Sequence, residues 1–149
     1  MKQNNLLENL KRELVLFIIG GFIYYMIEVI GRGWSHWTMF VVGGLCFVII
    51  GLINEWYTWN MSFLLQTGIG AFVITALEFV SGYFLNIKLQ WYIWDYSDRP
   101  FNLAGQICLF NCLYWVILSA VAIVLDDVIR WKFMGEEKPR YILIKKKLL

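Results

Sequence analysis

Charge is scarce in this sequence, and it is almost missing from the middle of the chain. Charged residues make up 16% of the 149 positions and apolar residues 60%. A water-soluble domain averages about 25% charged and about 45–50% apolar residues. Because most of the charges lie near the two ends, the central part cannot cover itself with a water-facing surface. The composition therefore excludes an ordinary soluble domain and predicts an integral membrane protein.

The residues and motifs of common active sites are also rare or missing. The chain has one histidine and three cysteines. The cysteines fall inside apolar stretches, so they indicate neither a disulfide framework nor a metal site. There is no Walker motif and no Ser–His–Asp order, and a net charge of +2 gives no sign of nucleic-acid binding. We expect no cofactor, no metal, no nucleic-acid partner and no catalytic residues, and the sequence gives no positive sign of an enzyme.

Long hydrophobic stretches are what the sequence has in abundance. A helix needs about 20 mostly apolar residues to cross a bilayer, and four stretches approach that length. They cover residues 14–30, 37–53, 61–85 and 103–125. The sequence predicts an all-α integral membrane protein: one domain, residues 1–149, with four transmembrane helices, a loop over residues 88–102 and a basic tail over residues 128–149. The first stretch is interpreted as a retained helix, since no small-residue cleavage site follows it.

The positive charges predict the orientation. Ten lysines and arginines precede the first stretch or follow the fourth, whereas three (Arg32, Lys88 and Arg99) lie in the loops on the other side. Loops rich in lysine and arginine stay in the cytoplasm. Both termini are therefore predicted to be cytoplasmic, and the loop over residues 88–102 is predicted to face outward.

A weak internal repeat is visible in the two halves of the chain. Segment 21–31 aligns with segment 71–81, which pairs Glu28 with Glu78, and segment 43–47 aligns with segment 105–109, which pairs Cys46 with Cys108. The pattern predicts two related helical hairpins in parallel orientation, with an axis along the membrane normal. A chance match between apolar segments is the alternative.

Two glutamates fall inside predicted spans. An ionisable group at such depth costs about 2.5–3.5 kcal/mol on insertion scales and usually faces protein or water. We expect Glu28 and Glu78 to lie at similar depths in the outer half of the membrane, in one outward-facing acidic cavity that binds a solute or ion. The other predicted members of this cavity are Asn111, Gln106, Tyr24 and Arg32. In the alternative, both glutamates only hold helices together: Glu28 through Arg32, and Glu78 through Arg99 or a tyrosine.

The segment "WYIWDYSDRPFNLAGQ", residues 91–106, is unusually rich in aromatic and charged residues for a membrane-protein loop. We predict a lid in which Asp95, Asp98 and Arg99 close on the glutamates or on a ligand, with Trp94 and Tyr96 beside them. The plainer alternative is an aromatic anchor at the headgroup level, a turn at Pro100 and a cap of the fourth helix at Asn102.

Residues 77–115 resemble the ABC-transporter type IV permease family, which consists of small bacterial membrane proteins. The specific part is "WDYSDRPFNLAGQICL", from Trp94 to Leu109, and the similarity extends to the "YYMIEVI" segment from Tyr24 to Ile30. The resemblance implies a multi-pass protein of the bacterial cytoplasmic membrane. It also implies a homo-oligomer or another membrane or ATPase subunit as partner, since four helices are few for such a permease and this chain has no ATPase domain. It implies no substrate and no catalytic residue.

The favoured function is the binding or transport of a small solute or cation through the acidic cavity, within the lipid bilayer. Two alternatives stay open. The first is an accessory or regulatory membrane protein that contacts a protein or lipid partner through the tryptophan-rich loop. The second is an intramembrane enzyme that uses Glu28 and Glu78 as acid and base.

Overall fold

The computed structural model describes residues 2–56 and 61–143, with the side chains of residues 2–5, 54 and 56 left aside. Within these ranges most of the chain is helical. Its elements are α1 Lys2–Arg32, α2 Trp37–Trp56, α3 Phe63–Gly82, a π-helix Tyr83–Lys88, β1 Asn102–Leu103, β2 Ile107–Cys108 and α4 Leu109–Phe133. The two short strands pair antiparallel, with Asn102 opposite Cys108.

The helices match the prediction of an all-α membrane protein. Three segments are long and apolar enough to cross a membrane, namely Leu6–Arg32, Phe63–Lys88 and Leu109–Phe133, and Trp37–Ile53 is a shorter apolar helix. Large apolar side chains such as Phe22, Phe72 and Phe110 are exposed on the outside of the bundle. An exposed apolar face of this extent is what lipid requires. The cytoplasmic position of the termini and the internal repeat stay predictions.

The predicted start of the fourth helix, residue 103, is wrong. Residues 102–108 form the β-hairpin. The helix α4 begins directly after it at Leu109, six residues later than predicted. Gly105 and Ala104 both have positive φ, which no helix tolerates. Asn102 does not cap α4; its amide nitrogen donates to the carbonyls of Ser97 and Arg99. Residues 128–133, predicted as part of the tail, continue α4, and residues 144–149 lie outside the described part.

The bundle has two ends that differ in composition. We call the end that carries residues 33–36 and 83–108 the lid end, and we call residues 89–108 the lid. The opposite end, which carries the start of α1, the start of α3 and the end of α4, is the terminal end. The chain returns to it after α4, where the backbone N–H of Phe63 donates to the carbonyl of Ile142 at 2.7 Å.

The helices pack as two antiparallel pairs, α1 on α2 and α3 on α4, and α2 then contacts both helices of the second pair. Glycines allow the first pair to approach closely. Gly21 lies against the backbone oxygen of Phe40, and Gly44 lies against that of Phe17. A methyl group at either position would collide with backbone, so these glycines set the helix spacing, as small residues do in membranes.

The core lies where α2, α3 and α4 meet. Its buried members are Cys46, Ile50, Ile53, Ala71, Ile74, Trp115 and Ile123. Polar contacts cross it as well; for example, the hydroxyl of Ser119 donates to the carbonyl of Thr67 at 2.8 Å. Because α1 packs chiefly on α2, a cavity is left between α1 and the second pair of helices.

Candidate functional site

The cavity is lined by all four helices and by the lid. Its volume is about 110 Å³, and most of its wall is apolar. Glu28 and Glu78 lie on its wall toward the lid end, and Ile50 and Leu125 lie on it toward the terminal end. From Trp115 to Leu125, α4 rises about 15 Å along its axis. The cavity therefore extends through roughly half the thickness of a bilayer core.

Glu28 is held by its own helix and by the loop that follows. Arg32, one turn further on, donates to its carboxylate at 2.8 Å, and the hydroxyl of Ser35 donates at 2.5 Å. The phenol of Tyr24 lies at 3.4 Å. Arg32 also donates to the carbonyl of Ile93 at 2.9 Å, which ties α1 to the lid. This is the Glu28–Arg32 pair that the structural alternative predicted.

Glu78 is held in a different way. The indole N–H of Trp115 donates to one carboxylate oxygen at 2.7 Å, and the phenol of Tyr96 donates to the other at 3.1 Å. Asn111 lies beside it as a further hydrogen-bonding neighbour. The residue is only 7% exposed. Within residues 2–56 and 61–143, no lysine, arginine or histidine lies within ion-pair distance of Glu78.

The lid is fixed by an asparagine that the sequence analysis did not single out. Asn86 is buried on the π-helix; its oxygen accepts from the N–H of Ile93 at 2.7 Å, and its nitrogen donates to the carbonyl of Trp94 and to the side-chain oxygen of Gln106. The π-helix makes this possible, since one wider turn rotates the following residues relative to an α-helix. Gln106 is thus committed to the lid, and its backbone oxygen accepts from the Trp94 indole at 3.0 Å.

The charged residues of the lid do not close on the glutamates as expected. Asp95, Asp98 and Arg99 are exposed. Asp95 accepts from the hydroxyl and the N–H of Ser97, and these two bonds lower the pKa of its carboxyl group. The lid residue that reaches Glu78 is Tyr96. Burial and the nearby carboxylate raise the pKa of the Tyr96 phenol, so it stays a hydrogen-bond donor.

The predicted site residues therefore divide into three groups. Tyr24, Glu28 and Glu78 line the cavity together with Trp94 and Tyr96 of the lid. Arg32 and Asn111 lie behind the wall as partners of the two glutamates. Gln106 and the exposed lid residues Asp95, Asp98 and Arg99 shape or surround the lid and are not part of the cavity wall.

A charged cluster at the terminal end was missed by the sequence analysis. The guanidinium of Arg130 donates to both carboxylate oxygens of Glu13, at 2.9 and 3.0 Å, and to Asp126 at 2.7 Å. Asp126 is fully buried, and its second oxygen has no hydrogen-bond partner. The cluster joins the start of α1 to the end of α4. Its only signal in the sequence is the spacing of Asp126 and Arg130, one helical turn apart.

The polypeptide after α4 extends this cluster. The phenol of Tyr141 donates to Asp127 at 2.6 Å, and its ring packs on Phe63 with the centroids 5.0 Å apart. Burial and the Asp127 carboxylate raise the pKa of Tyr141. Burial and the neighbouring Glu55 also raise the pKa of Glu136. The expected basic tail is thus anchored to the bundle at least as far as residue 142.

Candidate metal ligands are not clustered in the described part of the chain. In the part of the chain that the structure describes, no three His, Cys, Asp or Glu residues are grouped so that they could hold a metal ion. The site is therefore a mostly apolar cavity with carboxylates at one end.

Fold and site together define a helical membrane protein with a polar-ended internal cavity. The model of the family described as "Putative ABC-transporter type IV" matches residues 15–144, and the chain belongs to that family. The resemblance seen in residues 77–115 is thereby confirmed. No curated protein and no solved structure matches the chain. The family and the apolar helices indicate a membrane protein related to transport.

Proposed function

We propose that this protein binds a small solute or cation in the cavity and passes it across the bacterial cytoplasmic membrane, with the lid end facing outward. It works as a homo-oligomer or as the membrane subunit of a transporter. The observation that carries the proposal is Glu78, a buried carboxylate on the cavity wall whose hydrogen-bond donors are all neutral. Ionisable groups inside a membrane are costly, and they commonly mark the path of a solute or ion.

The lid supplies a gate for this path. Trp94 and Tyr96 lie on the cavity wall, and the phenol of Tyr96 is bonded to Glu78. A ligand that takes the place of the Tyr96 hydroxyl at the carboxylate would release the lid. Only a ligand that binds the open and closed states of the lid differently can shift their populations. A ligand that competes with Tyr96 for Glu78 binds the open state better, because the Tyr96–Glu78 hydrogen bond is absent there.

The terminal end supplies the opposite barrier. The cavity ends near Leu125, next to the buried pair of Asp126 and Arg130. Glu13 of α1 is held by the same guanidinium. Passage to the cytoplasm requires α1 and α4 to separate at this point. A nucleotide-hydrolysing partner bound at the terminal end is one source of the necessary energy, in keeping with the family's description.

The experiment is a flux measurement with a matched pair of variants in liposomes. Glu78→Gln keeps an oxygen that can accept from Trp115 or Tyr96 but removes the negative charge. Glu137→Gln makes the same change at an exposed position after α4. We expect uptake of monovalent cations or of a small-solute mixture to be lost in the first variant and kept in the second, with both melting like the wild type. Equal uptake in all three proteins would overturn the proposal.

A second function is favoured by the outer surface of the lid. Trp91, Tyr92 and Phe101 are exposed there, the last at 82%. Tyr92 and Phe101 adopt positive φ, a strained conformation for aromatic residues. An accessory protein that binds a membrane partner through these rings would show this pattern. Loss of one reproducible co-purifying protein in the Phe101→Ser variant, with flux unchanged, would support it over transport.

A further inference from the structure

Five aromatic rings share the cavity wall with Glu78, and one of them is Phe47 on α2. The other four belong to Tyr24 on α1, Trp115 on α4, and Trp94 and Tyr96 in the lid. The rings of Tyr24 and Trp115 lie 6.0 Å apart at a 50° tilt, so they form a corner and not a stack. Aromatic residues in such positions present their faces or edges to whatever occupies the cavity.

The charge on the cavity wall is not balanced. Glu28 has Arg32 at 2.8 Å, which compensates its charge. Glu78 accepts from an indole and a phenol, which orient the carboxylate without neutralising it. None of the residues that line the cavity is a lysine, arginine or histidine. When Glu78 is ionised, the wall thus carries one negative charge without a cation.

The rest of the wall is unsuited to a hydrated metal ion. Beyond the carboxylates it consists largely of aliphatic side chains such as Ile27, Val42 and Leu118. Calcium and magnesium need six or more oxygen ligands, from protein or water. A carboxylate with aromatic rings and aliphatic groups beside it is instead suited to alkylated ammonium ions, through charge attraction and cation–π contact.

We infer that the cavity takes a small organic ammonium ion, with its charged head between Glu78 and the aromatic rings and its apolar groups along the wall toward Leu125. The inference rests on the proposed function and names the substrate class of the same site. The ligand must compete with the Tyr96 hydroxyl for Glu78 before the lid can open.

The test compares two probes of nearly equal shape on the purified full-length protein in nanodiscs. Choline carries a quaternary ammonium, and 3,3-dimethyl-1-butanol has carbon in place of the nitrogen and no charge. Binding is followed by calorimetry and by the intrinsic tryptophan fluorescence, to which Trp94 and Trp115 contribute. We expect choline to bind about tenfold or more tightly than the alcohol. Equal affinity for the two probes would overturn the inference.

Variants locate the site. Glu78→Gln is expected to lower choline affinity about tenfold or more, and Glu137→Gln is expected to leave it unchanged. If Glu78→Gln fails to fold, Tyr24 gives a second test: Tyr24→Phe keeps a ring face and should bind choline, while Tyr24→Leu should bind it several times more weakly. Equal binding by the phenylalanine and leucine variants would contradict a cation–π site.

The outcomes separate this inference from the proposed function. If choline does not bind but the flux of potassium or of another solute in liposomes depends on Glu78, the ammonium class is wrong and the transport function stands. If neither choline binding nor any flux depends on Glu78, both are wrong. Choline binding without flux would keep the ligand class and turn the transporter into a binding protein.

Discussion

The lid end and the terminal end of the bundle both bury a carboxylate, but they hold it by different means. At the lid end, neutral donors from Trp115 and Tyr96 hold Glu78 beside a cavity. At the terminal end, the guanidinium of Arg130 holds Asp126 against Gly51 in a closely packed contact. A buried ion pair satisfies the protein itself, whereas a carboxylate with neutral donors and space in front of it can still accept a cation. The partner of a buried acid, more than its depth, thus distinguishes a structural residue from a binding residue.

The largest expected effect comes from breaking the terminal-end cluster. Arg130→Met leaves the carboxylates of Asp126 and Glu13 without their guanidinium, and losing one partner of a buried pair costs about 3–5 kcal/mol. The measurement is thermal unfolding in detergent. Lys11→Met is the control, because Lys11 forms an exposed pair with Glu8 that is worth about 0–1 kcal/mol. Equal melting of the two variants would show that the cluster does not hold α1 to α4.

A smaller loss of stability is expected from filling the space beside Asp126. A methyl group at Gly51 would collide with the Asp126 carboxylate, which cannot turn away while Arg130 holds it. Overpacking of this kind costs about 1–3 kcal/mol, so Gly51→Ala should unfold more readily. Gly68→Ala is the control in α3, where nothing lies near the added methyl group. That variant should be neutral or up to about 1 kcal/mol more stable.

Loosening the lid end should cost less. Tyr96→Phe removes one hydroxyl that donates to Glu78 at 3.1 Å, and we expect a loss of about 1 kcal/mol that is confined to the lid. Hydrogen exchange of the lid amides is the measurement, and they should exchange several times faster. Tyr92→Phe removes a hydroxyl from an exposed ring of the same lid and should change nothing. Equal exchange rates of the lid amides in the two variants would contradict the proposal that the Tyr96–Glu78 hydrogen bond holds the lid closed.

The smallest effect is a pH dependence of the lid turn. The Ser97 hydroxyl and N–H hold the pKa of Asp95 below its ordinary value of about 3.9. A lowered pKa means that the turn is fully stabilised above the ordinary value and loses this contribution as the pH falls through the lower, folded value. The Ser97 amide signal in an NMR titration should therefore move at a pH below about 3.9. If the Ser97 amide signal moved at the ordinary aspartate pKa, or if it still moved in the Asp95→Asn variant, the turn would not be what holds the carboxylate.

Much of the fold could be predicted from the sequence, because a segment that crosses lipid must satisfy its backbone hydrogen bonds internally, as a helix does. Four apolar stretches predicted four apolar helices, and the Glu28–Arg32 pair followed from its spacing of one turn. The start of α4 was not accessible, since residues 103–108 are apolar enough to extend the helix. The observed helix cannot include these residues because they form a hairpin. Ala104 has positive φ in that hairpin, although alanine gives no turn signal in a sequence.

The site was harder to predict than the fold, because its important residues look ordinary in the sequence. Trp115 lies within an apolar run, where a tryptophan is indistinguishable from a lipid-facing anchor until its indole is seen to donate to Glu78. In the sequence, Asp126 and Arg130 look like the charged residues that commonly follow a transmembrane helix, although their side chains are buried. Asn86 owes its inward position to the π-helix, which no simple hydrophobic period predicts.

The most direct test makes the same carboxylate-to-amide change at both ends. In Glu78→Gln and Asp126→Asn we would measure choline binding in nanodiscs and the free energy of unfolding on the same samples. We expect Glu78→Gln to unfold like the wild type and to lose binding. We expect Asp126→Asn to lose about 1–3 kcal/mol of stability and to bind normally wherever it stays folded. The reverse pattern, with Glu78→Gln unfolding and Asp126→Asn losing the ligand, would contradict this expectation.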